Sequence, residues 1–403
     1  MRSEQHGRGF IDRGTVAMAI VSIVVTIAIA QAQSHDVFRF RGPNGAAPYS
    51  SLTEDASGNL YGTTSLGGQN DCGTIFKLDT AGKETVLYRF GKQATDGCNP
   101  ASGVTFDGQG NLYGTTVNGG VNGLGTVYKL ASSGQETVLY NFGFGLDGQN
   151  PASGLVRDKK GNLYGTTYYG GANAIGTIFR LTPSGEETVL HDFGADGAYP
   201  ISQPALMRDA QGNLYGTTSQ GGAFSGGSVF KLDPAGTLTV LYNLGGYVGD
   251  GYTPYAGVVR DKAGNLYGAT WEGGNYFLGI LFKLDPSGNE TVLHNFGGGF
   301  DGQNPYGGVI LDKRGNLYGV TTLGGIGLCE GGLGCGTVFK VDKTGQESVL
   351  HAFESPNVKR DGANPDASLT LDPTTGALYG TTTIGGGTGC GGSGCGTVFR
   401  LIP

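Results

Sequence analysis

The hexapeptide Asn-Leu-Tyr-Gly-Thr-Thr at residues 59–64 decides the fold of this chain, because it recurs at regular intervals. Successive copies are 51 or 52 residues apart, except the last, which follows after 61 residues. The seven copies, four identical and three slightly changed, begin at Asn59, Asn111, Asn162, Asn213, Asn265, Asn316 and Ala377. A repeat of about 50 residues that contains several short strands is typical of a blade of a β-propeller.

Each repeat contains four short segments rich in β-branched and aromatic residues. In the third repeat they are residues 152–158, 162–168, 176–182 and 187–193. Gly, Asn and Asp separate these segments, and no stretch has a sustained helical period. The sequence therefore predicts an all-β, seven-bladed β-propeller with four strands per blade. The predicted blade cores span about residues 48–90, 100–142, 151–193, 202–244, 254–296, 305–353, and 366–402 together with 36–40.

The two ends of the chain complement each other. The last repeat stops at its third strand, residues 396–403, and lacks a fourth strand. Residues 36–40 (Asp-Val-Phe-Arg-Phe) align with residues 86–90 (Val-Leu-Tyr-Arg-Phe) in the fourth strand of the first repeat. We therefore expect the N-terminal strand to complete the last blade and close the ring, which removes both free sheet edges.

A turn motif, Asp-x-x-Gly-Asn, joins the first two strands of several repeats. It begins at Asp158, Asp209, Asp261 and Asp312. An Asp side chain in such a turn accepts hydrogen bonds from backbone amides, and the Gly adopts the left-handed conformation that closes the hairpin. We interpret these carboxylates as turn residues rather than as a ring of metal ligands.

The N-terminus has the layout of an export signal. Three arginines precede an apolar segment at residues 16–30, which ends in Ala30-Gln-Ala32. Signal peptidase recognises this combination of a basic start, an apolar core and small residues at alternate positions. Residues 1–32 are therefore predicted to be a signal peptide, and residues 33–403 a single propeller domain that is secreted or periplasmic. The alternative is a retained membrane anchor.

Charge and cysteine content narrow the functional classes. The chain has 26 Lys and Arg against 33 Asp and Glu, which argues against nucleic acid or an anionic membrane as the main partner.

All six cysteines follow residue 32, and in an oxidising compartment an even number predicts disulfides. Zinc binding is the alternative. Loop positions favour the pairs Cys72 with Cys98, Cys329 with Cys335, and Cys390 with Cys395.

No sequence motif identifies a catalytic centre. Two Gly-x-Gly-x-x-Gly matches, at residues 143–148 and 297–302, lie between strands instead of opening a helix, and we interpret both as turns. His191, His294 and His351 occupy equivalent positions in different blades, too far apart to share one metal ion. The sequence therefore predicts no cofactor and no metal site.

The repeats differ most where the chain approaches the predicted axis. An Asp/Asn-Gly-x-x-Pro motif occurs seven times, and the residue after its Pro varies between blades. In four neighbouring blades this residue is Tyr or Asp, and the single Trp lies in the same sector. Aromatic rings beside carboxylates suit the binding of sugars, whereas the alternative is that they only cover Gly-rich loops. The predicted ligand-binding residues are Tyr49, Tyr252, Tyr255, Trp271, Glu272, Tyr276, Tyr306 and Asp366.

Three repeated segments carry a family resemblance. Asn-Leu-Tyr-Gly-Thr-Thr, Gly-Thr-Val/Ile-Phe-Lys/Arg-Leu and Glu-Thr-Val-Leu together resemble the GloVer tandem-repeat proteins, which are named for Gloeobacter and Verrucomicrobium. The resemblance covers residues 36–403 and implies an exported bacterial protein, often with one of several C-terminal anchors, without implying an activity. The Asp-x-x-Gly-Asn-Leu-Tyr turn is more weakly similar to NHL-type propellers.

Two functions remain open at this point. The first is an exported, non-catalytic binding or interaction module, which acts as a monomer and whose partner is a polysaccharide or a cell-surface protein. The second is a secreted polysaccharide hydrolase or lyase that uses Glu272 and Asp366 as acid and base, because paired carboxylates can cleave glycosidic bonds.

Overall fold

Seven antiparallel sheets form a seven-bladed β-propeller in the computed structural model; six have four strands, and that of blade four has a short fifth strand. The structure describes residues 34–143, 145–201, 204–354 and 361–403, which belong to one compact unit, residues 32–403. The predicted signal peptide, residues 1–32, lies outside the described residues. Among the described residues, no helix is long and apolar enough to cross a membrane.

The strands follow the repeat closely. From the axis outward, blade one contains Thr53–Glu54, Leu60–Thr64, Thr74–Leu78 and Glu84–Arg89, and blade two contains Thr105–Phe106, Leu112–Thr116, Thr126–Leu130 and Glu136–Asn141. Blade three contains Val156–Arg157, Leu163–Thr167, Thr177–Leu181 and Glu187–Asp192. Blade four contains Met207–Arg208, Leu214–Gln220, Ser228–Leu232 and Leu238–Asn243. Blades five to seven contain Val259–Arg260, Leu266–Thr270, Ile280–Leu284 and Glu290–Asn295; Ile310–Leu311, Leu317–Thr321, Thr337–Val341 and Glu347–Ala352; Thr370–Leu371, Leu378–Thr382, Thr397–Leu401 and Ser34–Arg39.

Short elements lie between these strands. Four two-residue pairs and the segment Ala198–Pro200, which pairs with the end of the second strand of blade four, lie beside the inner strands. The four pairs are Gly97–Cys98 with Asn118–Gly119, Gly148–Gln149 with Tyr169–Gly170, Gly251–Tyr252 with Glu272–Gly273, and Gly362–Ala363 with Ile384–Gly385. Three single-turn 3-10 helices are Gly299–Asp301, Glu330–Gly332 and Cys390–Gly392.

The inner strands are shorter than the sequence predicts. Residues 152–158 are predicted as the first strand of blade three, but only Val156–Arg157 pairs within its own sheet. The backbone just before it bonds to the next blade instead, because the Gly154 N–H donates to the Pro204 carbonyl at 2.8 Å. Crowding at the axis thus turns this segment toward the neighbouring blade and away from its own sheet.

The seventh blade combines the two ends of the chain. Ser34–Arg39 pairs antiparallel with Thr397–Leu401, so the N-terminal strand is the fourth strand of this blade, where the sequence predicts residues 36–40. Blade seven also contacts blade one, because the Thr381 hydroxyl donates to the Ser50 carbonyl at 3.1 Å.

An aromatic residue on each third strand forms the core between blades. These residues are almost completely buried: Phe76, Tyr128, Phe179, Phe230, Phe282, Phe339 and Phe399. Phe142, which follows the outer strand of blade two, packs edge-on against Phe179 with ring centroids 5.2 Å apart. The Gly of Leu-Tyr-Gly makes room for this ring, since a Cβ on Gly165 would come within 2.7 Å of Phe179.

The Asp turn has the predicted structural role. Asp158 accepts the Lys160 and Asn162 backbone N–H groups, each at 2.9 Å. Its other oxygen accepts the Asn162 side-chain amide and the Tyr164 hydroxyl. The Asn and Tyr of the repeated hexapeptide are therefore partners of the turn carboxylate, and the interpretation as a turn is confirmed.

Three disulfides are present, and all three predicted pairs are confirmed. They join Cys72 with Cys98, Cys329 with Cys335, and Cys390 with Cys395. The first pair connects two loops that are 26 residues apart in sequence, whereas the other two close short Gly-rich loops in blades six and seven.

Candidate binding site at the channel mouth

Each blade directs side chains toward the axis through the same backbone device. The residue before the repeated Pro has a left-handed conformation in all seven blades, with φ between +50° and +58°. In blade three this residue is Asn150, whose N–H donates to the Leu124 carbonyl of blade two and whose carbonyl accepts the Tyr168 N–H. The residue after Pro and the residue after the second strand are thereby held side by side at the mouth of the central channel.

A cavity of about 630 Å³ occupies this mouth. Six of the seven blades contribute to its wall, which places it on the axis of the ring. The lining residues are Tyr49, Ala101, Val117, Asn150, Ala152, Tyr168, Tyr169, Ile201, Tyr255, Trp271 and Tyr306. The volume lies within the range of ordinary small-molecule and cofactor sites, and the wall is mainly aromatic and aliphatic.

Three predicted residues form one aromatic group, which we call the Trp271 cluster: Tyr255, Trp271 and Tyr306. Tyr255 and Tyr306 are stacked, with ring centroids 4.9 Å apart and an interplanar angle of 28°. Trp271 packs edge-on against both, with centroids at 5.9 and 5.8 Å. Their half-buried rings hold one another in place, so the group presents a pre-formed surface to the cavity.

A second aromatic group was missed by the sequence analysis. Tyr168 and Tyr169 follow the second strand of blade three, and Tyr199 precedes the repeated Pro of blade four. Tyr168 stacks on Tyr199 with centroids 5.0 Å apart and contacts Tyr169 edge-on at 4.6 Å. The sequence does contain an indication of this Tyr168 cluster. Tyr168 directly follows the repeated hexapeptide of blade three, as Trp271 does in blade five.

The two clusters interact across the channel. The pKa of Tyr168 is raised mainly by burial of the side chain and, to a smaller extent, by neighbouring phenols that include Tyr255. Burial, and then the negative charge of Asp366, raise the pKa of Tyr306, with smaller effects of Tyr255, Tyr49 and Tyr168. Tyr168, Tyr255 and Tyr306 therefore remain neutral phenols that can donate and accept hydrogen bonds.

Four of the predicted ligand-binding residues do not line the cavity: Tyr252, Glu272, Tyr276 and the buried Asp366. Tyr252 and Glu272 pair with each other in the two-residue sheet beside it. Tyr276 is 61% exposed and lies in the loop that follows. The other four predicted residues, Tyr49, Tyr255, Trp271 and Tyr306, contribute to the cavity wall.

The two carboxylates of the alternative catalytic hypothesis have different surroundings. Asp366 is buried, and its two oxygens accept the hydroxyls of Thr322 at 2.7 Å and Thr383 at 3.1 Å. Glu272 is exposed in blade five, where its charge adds to the effect of burial and raises the pKa of Tyr255. No hydrogen bond between the two is seen within the described residues.

The three histidines at equivalent positions in different blades each contact a carboxylate. His191 lies 2.7 Å from Asp196, His294 lies 2.9 Å from Asp301, and His351 lies 3.3 Å from Asp361. In every case the partner is the Asp of the Asp-Gly-x-x-Pro motif that follows the same strand. In blades one, two and four a tyrosine hydroxyl contacts the equivalent Asp.

Comparison with known proteins assigns the family. The model of the Gloeobacter/Verrucomicrobia repeat matches residues 17–209 and 202–403, which together span the propeller. The chain belongs to this repeat family. No curated protein sequence matches this Gloeobacter/Verrucomicrobia repeat protein.

Solved structures share the architecture of this repeat protein at low sequence identity. Virginiamycin B lyase from Staphylococcus aureus is 12% identical with a TM-score of 0.60, covering 92% of this chain and 99% of the lyase chain. The extracellular domain of a putative one component system from B. thetaiotaomicron is 14% identical with a TM-score of 0.56, covering 92% of this chain and 41% of that one. Sequence identities this low show only that the propeller fold is shared. An activity has to be argued from the residues of the candidate site.

Proposed function

We propose that this repeat protein is an exported, non-catalytic binding protein that holds a carbohydrate chain at the mouth of its central channel. The observation that carries the proposal is the Trp271 cluster, which exposes a rigid aromatic surface to a cavity of about 630 Å³. Sugar rings have apolar faces that stack on aromatic side chains, and a pre-formed surface loses little entropy on binding.

The polar groups of the mouth match the hydroxyls of a sugar. Tyr49, Tyr168, Tyr255 and Tyr306 bring phenolic hydroxyls to the cavity from four blades, and Asn150 adds an amide. The aromatic surface is split between two clusters on different sides of the mouth. We infer that the Trp271 cluster and the Tyr168 cluster contact different sugar units of one chain.

Export is part of the proposal. Three disulfides are typical of proteins outside the reducing cytoplasm, and the N-terminal sequence has the pattern of a cleaved signal. The partner is therefore expected at the cell surface or beyond it, as a polysaccharide or as the glycan of a surface protein.

A glycan-array experiment tests this function. The purified full-length protein is applied to an array, and the affinity for retained glycans is then measured by titration. Trp271→Ala should weaken binding at least tenfold, about 1.4 kcal/mol, because it removes the edge-on partner of both stacked tyrosines. The matched control is Tyr276→Ala, an exposed aromatic outside the cavity, which should bind as the unmodified protein does.

Two outcomes would overturn the proposal. Retention of no glycan class would remove carbohydrate as the ligand. Equal losses in Trp271→Ala and Tyr276→Ala would place any binding outside the cavity. Release of shorter sugars from a bound glycan, abolished by Glu272→Gln, would instead favour the hydrolase or lyase hypothesis.

A further inference from the structure

We propose that His294, Asp301 and Glu347 form a zinc site that links blade five to blade six. One donor atom from each residue lies within 4.8 Å of the donor atoms of the other two. His294 belongs to the outer strand of blade five, Asp301 to the 3-10 helix that follows, and Glu347 to the outer strand of blade six. The site is separate from the aromatic cavity and does not depend on the proposed function.

The donor set suits a divalent first-row metal ion. An imidazole nitrogen and two carboxylate oxygens are ordinary zinc ligands, and three protein ligands leave a fourth position for water. Donors around a tetrahedral zinc ion lie roughly 3.3 Å apart at the usual bond lengths of about 2.1 Å. The present spacing therefore requires side-chain shifts of about 1 Å and no movement of the backbone.

Two ligands are already oriented by their neighbours. The His294 ring packs edge-on against Phe296 with centroids 4.9 Å apart, and its Nε2 lies 2.9 Å from an Asp301 oxygen. The other Asp301 oxygen accepts the Gly297 N–H at 2.6 Å. Such contacts fix the directions of metal ligands and strengthen binding.

The third ligand has an unused oxygen. Oε1 of Glu347 is hidden from solvent and has no hydrogen-bond partner among the described residues. A buried oxygen without a partner is costly, and a bound cation would compensate for it. Glu84, Glu136, Glu187 and Glu290 share this unpaired oxygen, so the His and Asp beside Glu347 are what distinguish this interface. The side chains of His294 and Asp301 remain 20% and 27% exposed, which leaves a path for an ion from solvent.

The other blade interfaces provide internal controls, because each lacks at least one of these three residue types at the equivalent positions. At the interface of blades three and four, His191 and Asp196 make the same contact, but Leu238 takes the position of Glu347. At the interface of blades four and five, Tyr242 takes the position of His294. Within the described residues, the three donor types therefore come together at one interface.

Sequence comparison could not reveal this group. His294 and Glu347 are 53 residues apart, so no local sequence motif contains both. The ligands of one site come instead from a strand, the loop after it and the equivalent strand of the next blade.

The test is zinc uptake by the full chain. The protein is stripped with a chelator and dialysed against micromolar ZnCl₂, and bound metal is measured by mass spectrometry and by the visible spectrum of the Co²⁺ form. We expect one zinc per chain, and Glu347→Gln should weaken its binding at least tenfold. This substitution keeps the size of the side chain, and circular dichroism checks that the variant folds.

Matched variants separate the site from non-specific uptake. His191→Ala should keep the full zinc content, because the pair at blades three and four lacks a third ligand. Leu238→Glu should create a second site there and raise uptake to two. Zinc content that is equal in the unmodified protein and Glu347→Gln, or that falls as far in His191→Ala, would overturn the proposal.

Discussion

The interface between blades two and three differs from that between blades five and six at one repeated position. In the first, the buried Thr115 hydroxyl donates to the Ser153 carbonyl of the next blade at 2.9 Å. In the second, the equivalent residue is Ala269, which has no hydroxyl and packs among apolar residues that include Val309 of blade six. The stacked rings of Tyr255 and Tyr306 cross this second interface.

Both interfaces nevertheless share the same aromatic core. Phe142 packs on Phe179 at 5.2 Å in the first, and Phe296 packs on Phe339 at 5.1 Å in the second. The Phe pair is therefore common to both blade interfaces, whereas the hydrogen bond from Thr to the carbonyl can be replaced by apolar packing. At blades five and six, where that bond is absent, Tyr255 stacks on Tyr306. At blades three and four, Tyr168 stacks on Tyr199 although the Thr166 hydroxyl still donates to the Pro200 carbonyl.

The largest effect is expected from loss of the shared core. Phe179→Ala and Phe339→Ala should each lower the free energy of unfolding by about 3–5 kcal/mol, because each leaves a cavity around a ring that is fully buried. Urea denaturation followed by circular dichroism measures the two losses. A much smaller loss in Phe339→Ala would mean that the aromatic cluster, and not the Phe pair, holds blades five and six together.

Removal of the hydroxyl at blades two and three should have an intermediate effect. Thr115→Ala should lower the free energy of unfolding by about 1–2 kcal/mol, since it leaves the buried Ser153 carbonyl without this donor. Thr115→Ser keeps the hydroxyl and serves as the control in the same denaturation experiment. Equal losses in both variants would assign the effect to the methyl group.

A smaller change in stability, coupled to a change in binding, is expected at the mouth. Tyr168→Ala removes the stack with Tyr199 and should cost about 1 kcal/mol of stability. The same variant should weaken glycan binding severalfold in a titration, because Tyr168 lines the cavity. Phe277→Ala, an exposed aromatic that does not line the cavity, is the control, and unchanged binding in Tyr168→Ala would restrict the site to the Trp271 cluster.

The smallest expected effect is a dependence of stability on pH at blades two and three. The pKa of Glu187 is raised from 4.5 to about 7, mainly by burial of the side chain and, to a smaller extent, by the negative charge of Asp147. Between these values the folded protein binds more protons than the unfolded chain, so this contribution to stability is complete below pH 4.5 and is lost as the pH rises toward 7.

Urea denaturation between pH 4 and pH 8 measures this dependence. Glu187→Gln should reduce the slope of the profile without abolishing it, because burial also raises the pKa values of Glu136 and Glu347 to about 7. Glu186→Gln, at an exposed neighbouring position, should leave the profile unchanged. A profile that keeps its slope in Glu187→Gln would assign the titration to another carboxylate.

The fold was predictable because every blade repeats the same local chemistry. The turn Asp, its Asn and Tyr partners and the Gly that makes room for a buried ring all lie within one repeat, so sequence alone reveals them. The site was predictable only in part. Tyr255, Trp271 and Tyr306 depart from the repeat in neighbouring blades, and that departure identified them.

The Tyr168 cluster departs from the repeat at the same position, but its approach to the Trp271 cluster could not be predicted. It lies in blades three and four, and its distance from Tyr255 depends on the radius of the ring, which no spacing in the sequence specifies. The course of each loop, which places Tyr252, Glu272 and Tyr276 outside the cavity wall, is likewise not specified by any spacing in the sequence.

The strand Ser34–Arg39 has a consequence for biosynthesis. It leaves the ribosome before the other strands of the propeller, yet its partner, Thr397–Leu401, is synthesised last. Until then the seventh sheet cannot be completed, and two unpaired edges remain open to other chains. A nascent chain therefore depends on protection of these edges until the strand Thr397–Leu401 emerges, and termination before that strand would yield an aggregation-prone fragment in place of a smaller propeller.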